Sequence, residues 1–170
     1  MLKPANLYTA ELHVKFVETM YDMKYKYYHF GTSASIPTID DSNNWVHQFV
    51  SVNDKGEILG YIMYGVNYET MSVPSFGAIS FIEGGSVTYA HDLLQAIDNI
   101  FMVYNFNRME WNCCVDNPAV RGYRNLCKRF GGREVGQLHQ TIKLMDGKIY
   151  DTIIFEVMRE DYIKSKERKK

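Results

Sequence analysis

The stretch that decides the fold is WNCCVDNPAVRGYRNLCKRFGGREVGQLHQTIKLMDGKIYDTIIFEV, residues 111–157. It opens with an apolar run typical of a strand. A helical pattern follows, and Gly131-Gly132 then ends the helix. Two more strand-like runs are joined by Asp146-Gly147, a strong hairpin turn. The apolar positions of the helix recur at spacings of three and four residues on one face: Val120, Tyr123, Leu126, Cys127 and Phe130.

The start of this helix has its own signal. Asn117 is a natural N-cap, and Pro118 suits the first helical position because its missing N–H would have no partner there. Such a cap contributes about 1 kcal/mol to stability. The sequence therefore predicts that the helix begins directly after Asn117.

Upstream, residues 78–101 read AISFIEGGSVTYAHDLLQAIDNIF, a strand-like run, a glycine pair and a second helical pattern. A glycine turn before a helix N-terminus can hold a phosphate, because backbone N–H groups and the helix dipole both favour anions there. It can also be a plain connection with Ser86 as N-cap. Taken alone, the stretch favours the plain connection.

The first half of the chain predicts an N-terminal helix, a loop over residues 31–44, and a hairpin whose strands are joined at residues 53–56. Pro74 indicates a loop, with the next strand starting near Phe76. The full order predicts an α/β (α+β) fold with a mixed, mostly antiparallel central sheet flanked by helices. We expect a single domain over residues 1–163, followed by a charged, disordered tail over residues 164–170. The first helix carries an apolar stripe of Leu12, Phe16, Val17, Met20 and Met23.

Composition excludes several classes of protein. The 170 residues are 46% hydrophobic and 23% charged with a net charge of −1, which argues against a dedicated nucleic-acid binder. No apolar run approaches the roughly 18 residues of a membrane span, and the N-terminus lacks the zones of a secretory signal. Three cysteines without CxxC spacing indicate reduced thiols in a cytoplasmic protein. The five histidines are scattered, so no metal site is predicted.

The thirteen tyrosines are the compositional peculiarity, and several cluster in YDMKYKYYHF, residues 21–30. Their amphipathic rings could line a surface that faces a substrate or stacks on bases. They could equally cover a core while their hydroxyls reach water. The second interpretation is the more general one, and the sequence leaves both open.

Residues 111–157, together with the element order over residues 45–160, resemble the GNAT superfamily of N-acetyltransferases. The resemblance lies in Asn117 with Ala119 shortly after it, Tyr123 on the helix, the Gly131-Gly132 turn, and DGKIYD before the last strand. Two features depart from the family pattern. The family's Arg/Gln-x-x-Gly-x-Gly/Ala fingerprint is replaced by IEGGSVTYA, and the helix after Asn117 is about one turn longer than usual.

The resemblance implies transfer of an acetyl group from acetyl-CoA, as cosubstrate, to a primary amine by direct attack on the thioester. It implies Glu83 as general base and Tyr123 as general acid, although Glu83 could be a plain exposed residue and Tyr123 a core residue. No metal takes part. The implied acetyl-CoA-binding residues are the turn residues Ile82, Gly84, Gly85 and Ser86, then Asn117, and the basic residues Arg121, Arg124 and Lys128 in place of the missing fingerprint arginine.

The acceptor would be a small-molecule or peptide amine, met by the first helix and the loop over residues 31–44. Asp40-Asp41 could attract a cationic amine or simply form a turn. No membrane partner is expected, nucleic acid is an unfavoured partner, and a homodimer is compatible with the sequence. The alternative is a degenerate GNAT-fold protein that binds a ligand or partner without catalysis, which the missing fingerprint favours.

Overall fold

The computed structural model describes residues 1–28 and 36–168. In this part of the chain, seven strands form one sheet in the order β1-β2-β3-β4-β5-β7-β6. All neighbouring strands are antiparallel except β4 and β5, which are parallel. The predicted mixed, mostly antiparallel sheet is confirmed. The strands are β1 (Leu2–Pro4), β2 (Val46–Val52), β3 (Ile58–Asn67), β4 (Ser72–Ser80), β5 (Arg108–Cys114), β6 (Arg133–Lys143) and β7 (Ile149–Met158).

Helices cover both faces of the sheet. One face packs against α1, and its core includes Leu12, Phe16, Tyr61 and Ile79; we call it the α1 face. The other face packs against α2, α3 and α4 around a larger core, and we call it the α2 face. The helices are α1 (Thr9–Met20), α2 (Val87–Asp98, continued by one π-helical turn over Asn99–Val103), α3 (Val120–Phe130) and α4 (Arg159–Glu167).

Two predicted boundaries are wrong. Pro74 lies inside β4, which starts at Ser72 rather than near Phe76. The β3–β4 register shifts between Gly65 and Asn67, and such an irregularity tolerates a proline that cannot donate to the ladder. Likewise α3 begins at Val120, not directly after Asn117. The Asn117 side chain instead accepts a hydrogen bond from the Ala119 N–H at 2.9 Å, forming a turn ahead of the helix.

The C-terminal prediction is also wrong. Helix α4 extends through Glu167, so the chain is folded well beyond residue 163. The Lys166 ammonium lies 2.7 Å from the Asp98 carboxylate, and the buried Tyr162 hydroxyl donates to the same carboxylate at 2.6 Å. These contacts attach α4 to α2. Residues 169–170 lie outside the described part.

At the N-terminus, α1 ends at Met20, and Met23 lies in a separate 3₁₀ turn (Met23–Tyr25) rather than in the helix. Strand β1 was not predicted, because three residues carry too little periodicity to be read. Within the described residues, no helix has the length and apolar character needed to cross a bilayer.

Candidate active site

The sheet opens between β4 and β5. These strands are paired only at Ser72 with Arg108 and at Val73 with Met109. Beyond that point β4 continues to Ser80 and pairs only with β3, while β5 continues to Cys114 and pairs only with β7. The strands diverge into a slot, and one edge of β4 is left without a strand partner. An unpaired strand edge presents N–H and C=O groups to whatever enters.

A cavity of about 570 Å³ occupies this slot and reaches both faces of the sheet. On the α2 face its walls include Tyr89, Leu93 and Ile97 of α2, and Trp111 and Cys113 of β5. Its volume is typical of sites for small molecules and cofactors. On the α1 face its walls are Phe16 of α1, the segment containing Tyr27 and Tyr28, the stretch Pro37-Thr38, and the strand residues Val46, Gln48, Tyr61 and Met63.

Three tyrosines converge on the slot from different elements. Tyr28 enters from the α1 face, while Tyr89 of α2 and Tyr123 of α3 enter from the α2 face. Burial raises the pKa of all three phenols, and the proximity of Tyr28 further raises the pKa values of Tyr89 and Tyr123. Each hydroxyl therefore keeps its proton at neutral pH. The tyrosine cluster in residues 21–30 is divided: Tyr27 and Tyr28 line the cavity, Tyr25 is core, and Tyr21 faces solvent.

Tyr123 is both packed and open to the cavity. Its ring lies 5.8 Å from the rings of Trp111 and Phe155. After burial, the largest influence that raises its pKa is the neighbouring Cys113 thiol. The sequence left two roles open for Tyr123, a core residue and a general acid. Its ring packs in the core and also forms part of the cavity wall, so its position is compatible with both roles.

Trp111 contributes a polar atom that lacks a partner. The side chain is 4% exposed and lines the cavity, and its indole N–H has no hydrogen-bond acceptor among the described residues. A buried donor left unpaired costs free energy, so such atoms usually have a water or ligand as partner. The sequence offered no motif for this residue.

Asn117 and Cys113 meet on the same wall. Both line the cavity, and a hydrogen bond with Asn117 partly offsets the burial that raises the pKa of Cys113 to about 12. The thiol is consequently protonated and a poor nucleophile. All three cysteines are free and buried.

The glycine turn lies where the sequence placed it, between β4 and the N-terminus of α2. Gly84 and Gly85 have φ values of +75° and +84°, which favour glycine, and space is open around both. Ser86 is the N-cap of α2, with its hydroxyl accepting from the Tyr89 N–H at 3.2 Å. Ile82 follows the end of β4 and donates its N–H to the Ser80 hydroxyl. None of these four residues lines the cavity wall, although the neighbouring Ser80 and Tyr89 do.

The three basic candidates lie along the exposed side of α3. Arg124 is held by Glu134 of β6 through two hydrogen bonds, of 2.5 and 3.3 Å. Arg121 and Lys128 are exposed one helical turn away on either side. None of these three residues lines the cavity, so the described structure places the basic candidates away from the cavity wall.

Glu83 faces solvent. Its side chain is 83% exposed and lies 3.0 Å from the Lys24 ammonium, whose pKa is raised mainly by this hydrogen bond. Glu83 is not among the residues of the cavity wall. Its carboxylate thus lies outside the slot, in an ion pair at the end of β4.

The acidic pair of the loop also has local partners. Asp40 accepts hydrogen bonds from the N–H and hydroxyl of Ser42, which lower its pKa, and Asp41 accepts from Asn6. Asp40 therefore acts as a turn former. Residues 31–35 of the predicted acceptor loop lie outside the described residues. Over residues 1–28 and 36–168, no three His, Cys, Asp or Glu side chains are grouped as metal ligands.

An antiparallel sheet that splays at one parallel strand pair, with a cavity through the gap, defines the fold of the GNAT acetyltransferases. Solved structures agree. The chain is 19% identical to spermidine N-acetyltransferase from Vibrio cholerae in complex with CoA and spermine, with a TM-score of 0.76 over 96% of this chain and 97% of the other. A chimeric form of that enzyme is 18% identical to the chain, with a TM-score of 0.73 over 96% of this chain and 97% of the other.

A dodecameric structure of the Vibrio cholerae enzyme is 21% identical, with a TM-score of 0.63 over 72% of this chain and 70% of the other. No protein-family model and no curated protein sequence matches the chain. The similarity is thus one of fold: the chain has the GNAT fold, and the fold predicted from residues 111–157 is confirmed.

Proposed function

We propose that this protein is an acetyl-CoA-dependent N-acetyltransferase that acts on a primary amine. The observation that carries the proposal is the slot between β4 and β5, which opens through the sheet from one face to the other. Two substrates can enter such a slot from opposite faces and meet inside it. Holding two reactants in this way converts a bimolecular reaction into an effectively unimolecular one.

The residues present fit acetyl-CoA. When bound, it supplies an activated acyl group as a thioester. The free edge of β4 offers hydrogen bonds to a polar chain along the slot. Asn117 lies on the same wall, and the turn at Gly84, Gly85 and Ser86 offers backbone donors to a pyrophosphate near the N-terminus of α2. We retain Ile82, Arg121, Arg124 and Lys128 as outer candidates for acetyl-CoA binding.

In the proposed reaction, the amine nitrogen forms a bond to the acyl carbon while the carbon–sulfur bond breaks. The amine enters as an ammonium ion and first loses one proton; its nitrogen loses a second proton as the amide forms, and the sulfur gains one. Tyr123 is the proposed donor of the proton to sulfur, because its side chain lines the slot and burial keeps its hydroxyl protonated. It regains a proton from solvent. The described cavity wall contains no carboxylate, so both protons leave the nitrogen to water at the mouth of the slot.

The test of the proposal is thermal unfolding with acetyl-CoA, followed by an acetylation assay with a mixture of primary amines. Binding to the folded state raises the midpoint of unfolding in a concentration-dependent way, by about 2.7 kcal/mol of stability at one hundred times Kd. An unchanged midpoint of unfolding at millimolar acetyl-CoA would refute the proposal that the protein is an acetyl-CoA-dependent enzyme. A shift without acetylation would favour a ligand-binding protein without catalysis.

Gly85→Val tests the glycine turn. Space around Gly85 is open, so the larger side chain meets no neighbour, but φ of +84° is unfavourable for a β-branched residue. We expect the turn to change conformation and acetyl-CoA affinity to fall about tenfold, with the cavity-lining core unchanged. Gly56→Val, in a hairpin turn with φ of +81° and equally open space, is the matched control for backbone strain. Equal acetyl-CoA affinity in both variants would place the pyrophosphate elsewhere.

Glu83→Gln tests the candidate base. Since Glu83 is exposed and paired with Lys24, any proton transfer to it from the slot must pass through water. We expect kcat/KM to fall less than about threefold, well below the range of about 10²–10⁴ typical of a direct general base. A loss of a hundredfold, measured across the pH range, would restore Glu83 to the catalytic machinery.

We further propose that the protein works in the cytoplasm as an oligomer of identical chains. Its three reduced thiols suit a reducing compartment. Edge strand β6 is exposed along nearly its whole length, which suits a contact between copies. Light scattering of the purified chain tests the second point, and a strictly monomeric mass at working concentration would contradict it.

A further inference from the structure

We propose that the acceptor is a monoamine with an aromatic or apolar body, not a polyamine. This inference rests on the proposed function and names the substrate class of the same site. It is carried by the α1 face of the cavity, where the acceptor must enter if acetyl-CoA occupies the side of the slot next to α2.

The described wall of the cavity carries no formal charge. Its residues include no Asp, Glu, Lys or Arg, on either face of the sheet. A polyamine carries two or more positive charges, and each charge taken out of water needs a carboxylate or a comparable partner.

Two carboxylates near the segment that contains Tyr27 and Tyr28 are paired with lysines, whereas Asp40 and Asp41 have only neutral hydrogen-bond partners and lie outside both described cavity walls. Lys24 lies 3.0 Å from Glu83, and Lys26 lies 3.2 Å from Asp146. Asp146 is further engaged by the Tyr150 hydroxyl at 2.6 Å. These pairs balance charge, so they provide little net attraction for a second or third ammonium group.

What the wall does offer is aromatic surface. The Phe16 ring packs edge-on against Tyr61 at 5.2 Å, and Tyr27 and Tyr28 face the same space. Aromatic faces attract a single ammonium group through their negative π surface and bury a planar apolar body favourably. One polar point interrupts this surface, the Gln48 amide held between the Tyr61 hydroxyl and the Thr38 carbonyl.

A second cavity extends the same surface. It has a volume of about 390 Å³ and shares Phe16, Pro37 and Thr38 with the first. Its remaining wall is Thr9, His13, Ile36 and Ile39, so it too lacks carboxylates. An acceptor with a bulky apolar group can therefore extend past Phe16 without meeting an Asp, Glu, Lys or Arg side chain in either described wall.

The experiment compares 2-phenylethylamine with spermidine as acceptors in the presence of acetyl-CoA. We expect kcat/KM for 2-phenylethylamine to exceed that for spermidine at least tenfold. A ratio of one or below would overturn the inference.

Binding of each amine is measured separately by calorimetry, without turnover. Tighter binding of 2-phenylethylamine supports the inference even if acetylation fails, while failure of acetylation alone counts against the proposed function. Tighter binding of spermidine, or no binding of either amine, overturns the inference.

Introducing a carboxylate sharpens the test. Met63→Glu places an acidic group on the α1 face of the cavity, and we expect kcat/KM for spermidine to rise at least fivefold. Val14→Glu, at an exposed position of α1, is the matched control and should change nothing. Val46→Glu, on the same cavity wall, replaces Met63→Glu if that variant does not fold. If a folded cavity variant keeps the wild-type ratio of kcat/KM values for 2-phenylethylamine and spermidine, the inference is contradicted.

Discussion

Tyr123→Phe is expected to lower kcat about a hundredfold while leaving acetyl-CoA affinity unchanged. The magnitude follows from the loss of a positioned general acid, typically 10²–10⁴-fold. The ring contacts with Trp111 and Phe155 remain, because phenylalanine keeps the aromatic ring. Single-turnover acetylation and calorimetric binding of acetyl-CoA measure the two quantities separately. Normal turnover with lowered stability would assign Tyr123 to the core alone.

Tyr162→Phe is the matched control. It also removes one buried tyrosine hydroxyl, but that hydroxyl donates to Asp98 between α2 and α4, and neither residue is part of the cavity wall. Losing a hydrogen bond to a charged acceptor costs about 1.5 kcal/mol of unfolding free energy. We therefore expect this variant to lose stability and keep its turnover, the reverse of Tyr123→Phe.

Gly60→Ala is expected to destabilise the protein by about 1–3 kcal/mol and to weaken acetyl-CoA binding. The ring of Tyr89 lies directly on Gly60, and an added Cβ would also come within 2.6 Å of the Ile79 carbonyl oxygen. Neither neighbour can move freely, because one is a packed ring and the other is backbone. Displacing Tyr89 moves a wall of the slot. Denaturant unfolding and acetyl-CoA titration measure the two effects.

Gly65→Ala on the same strand provides the comparison. Its added Cβ would meet nothing closer than 3.8 Å, which is ordinary van der Waals contact. We expect a change in unfolding free energy within about 0.5 kcal/mol, as for most substitutions away from special features. Equal destabilisation by both alanines would show that the Tyr89 contact is not the cause.

Features fixed by neighbouring residues were predictable from the sequence. Gly131 adopts the left-handed conformation that ends α3, and Gly147 does the same in the β6–β7 hairpin. Both follow from local backbone chemistry, which a short window contains. The helical stripe of α3 was likewise readable, since core packing imposes its spacing.

Features that depend on distant partners were not predictable from the sequence. Strand β1 exists because Leu2–Pro4 pairs with residues 49–51 of β2, nearly fifty positions away. Glu83 lies outside the cavity wall in an ion pair with Lys24, and nothing near Glu83 in sequence predicts that partner. Tyr89 and Cys113 belong to no motif, and only the packing of α2 against the sheet brings them to the same cavity. Tyr89 had one local signal, its position three residues after the Ser86 cap, but that spacing alone indicates no function.

The divergence of β4 from β5 has a further consequence for how the sheet holds together. Two residue pairs at one end connect a block of β1 to β4 with a block of β5, β7 and β6. An extended molecule with amide groups, lying against the free edge of β4, would act as a surrogate strand and complete the half-made ladder. The backbone amides along that edge of β4 would then exchange more slowly with solvent, and the ligand would add a connection between two blocks that already share the core of the α2 face.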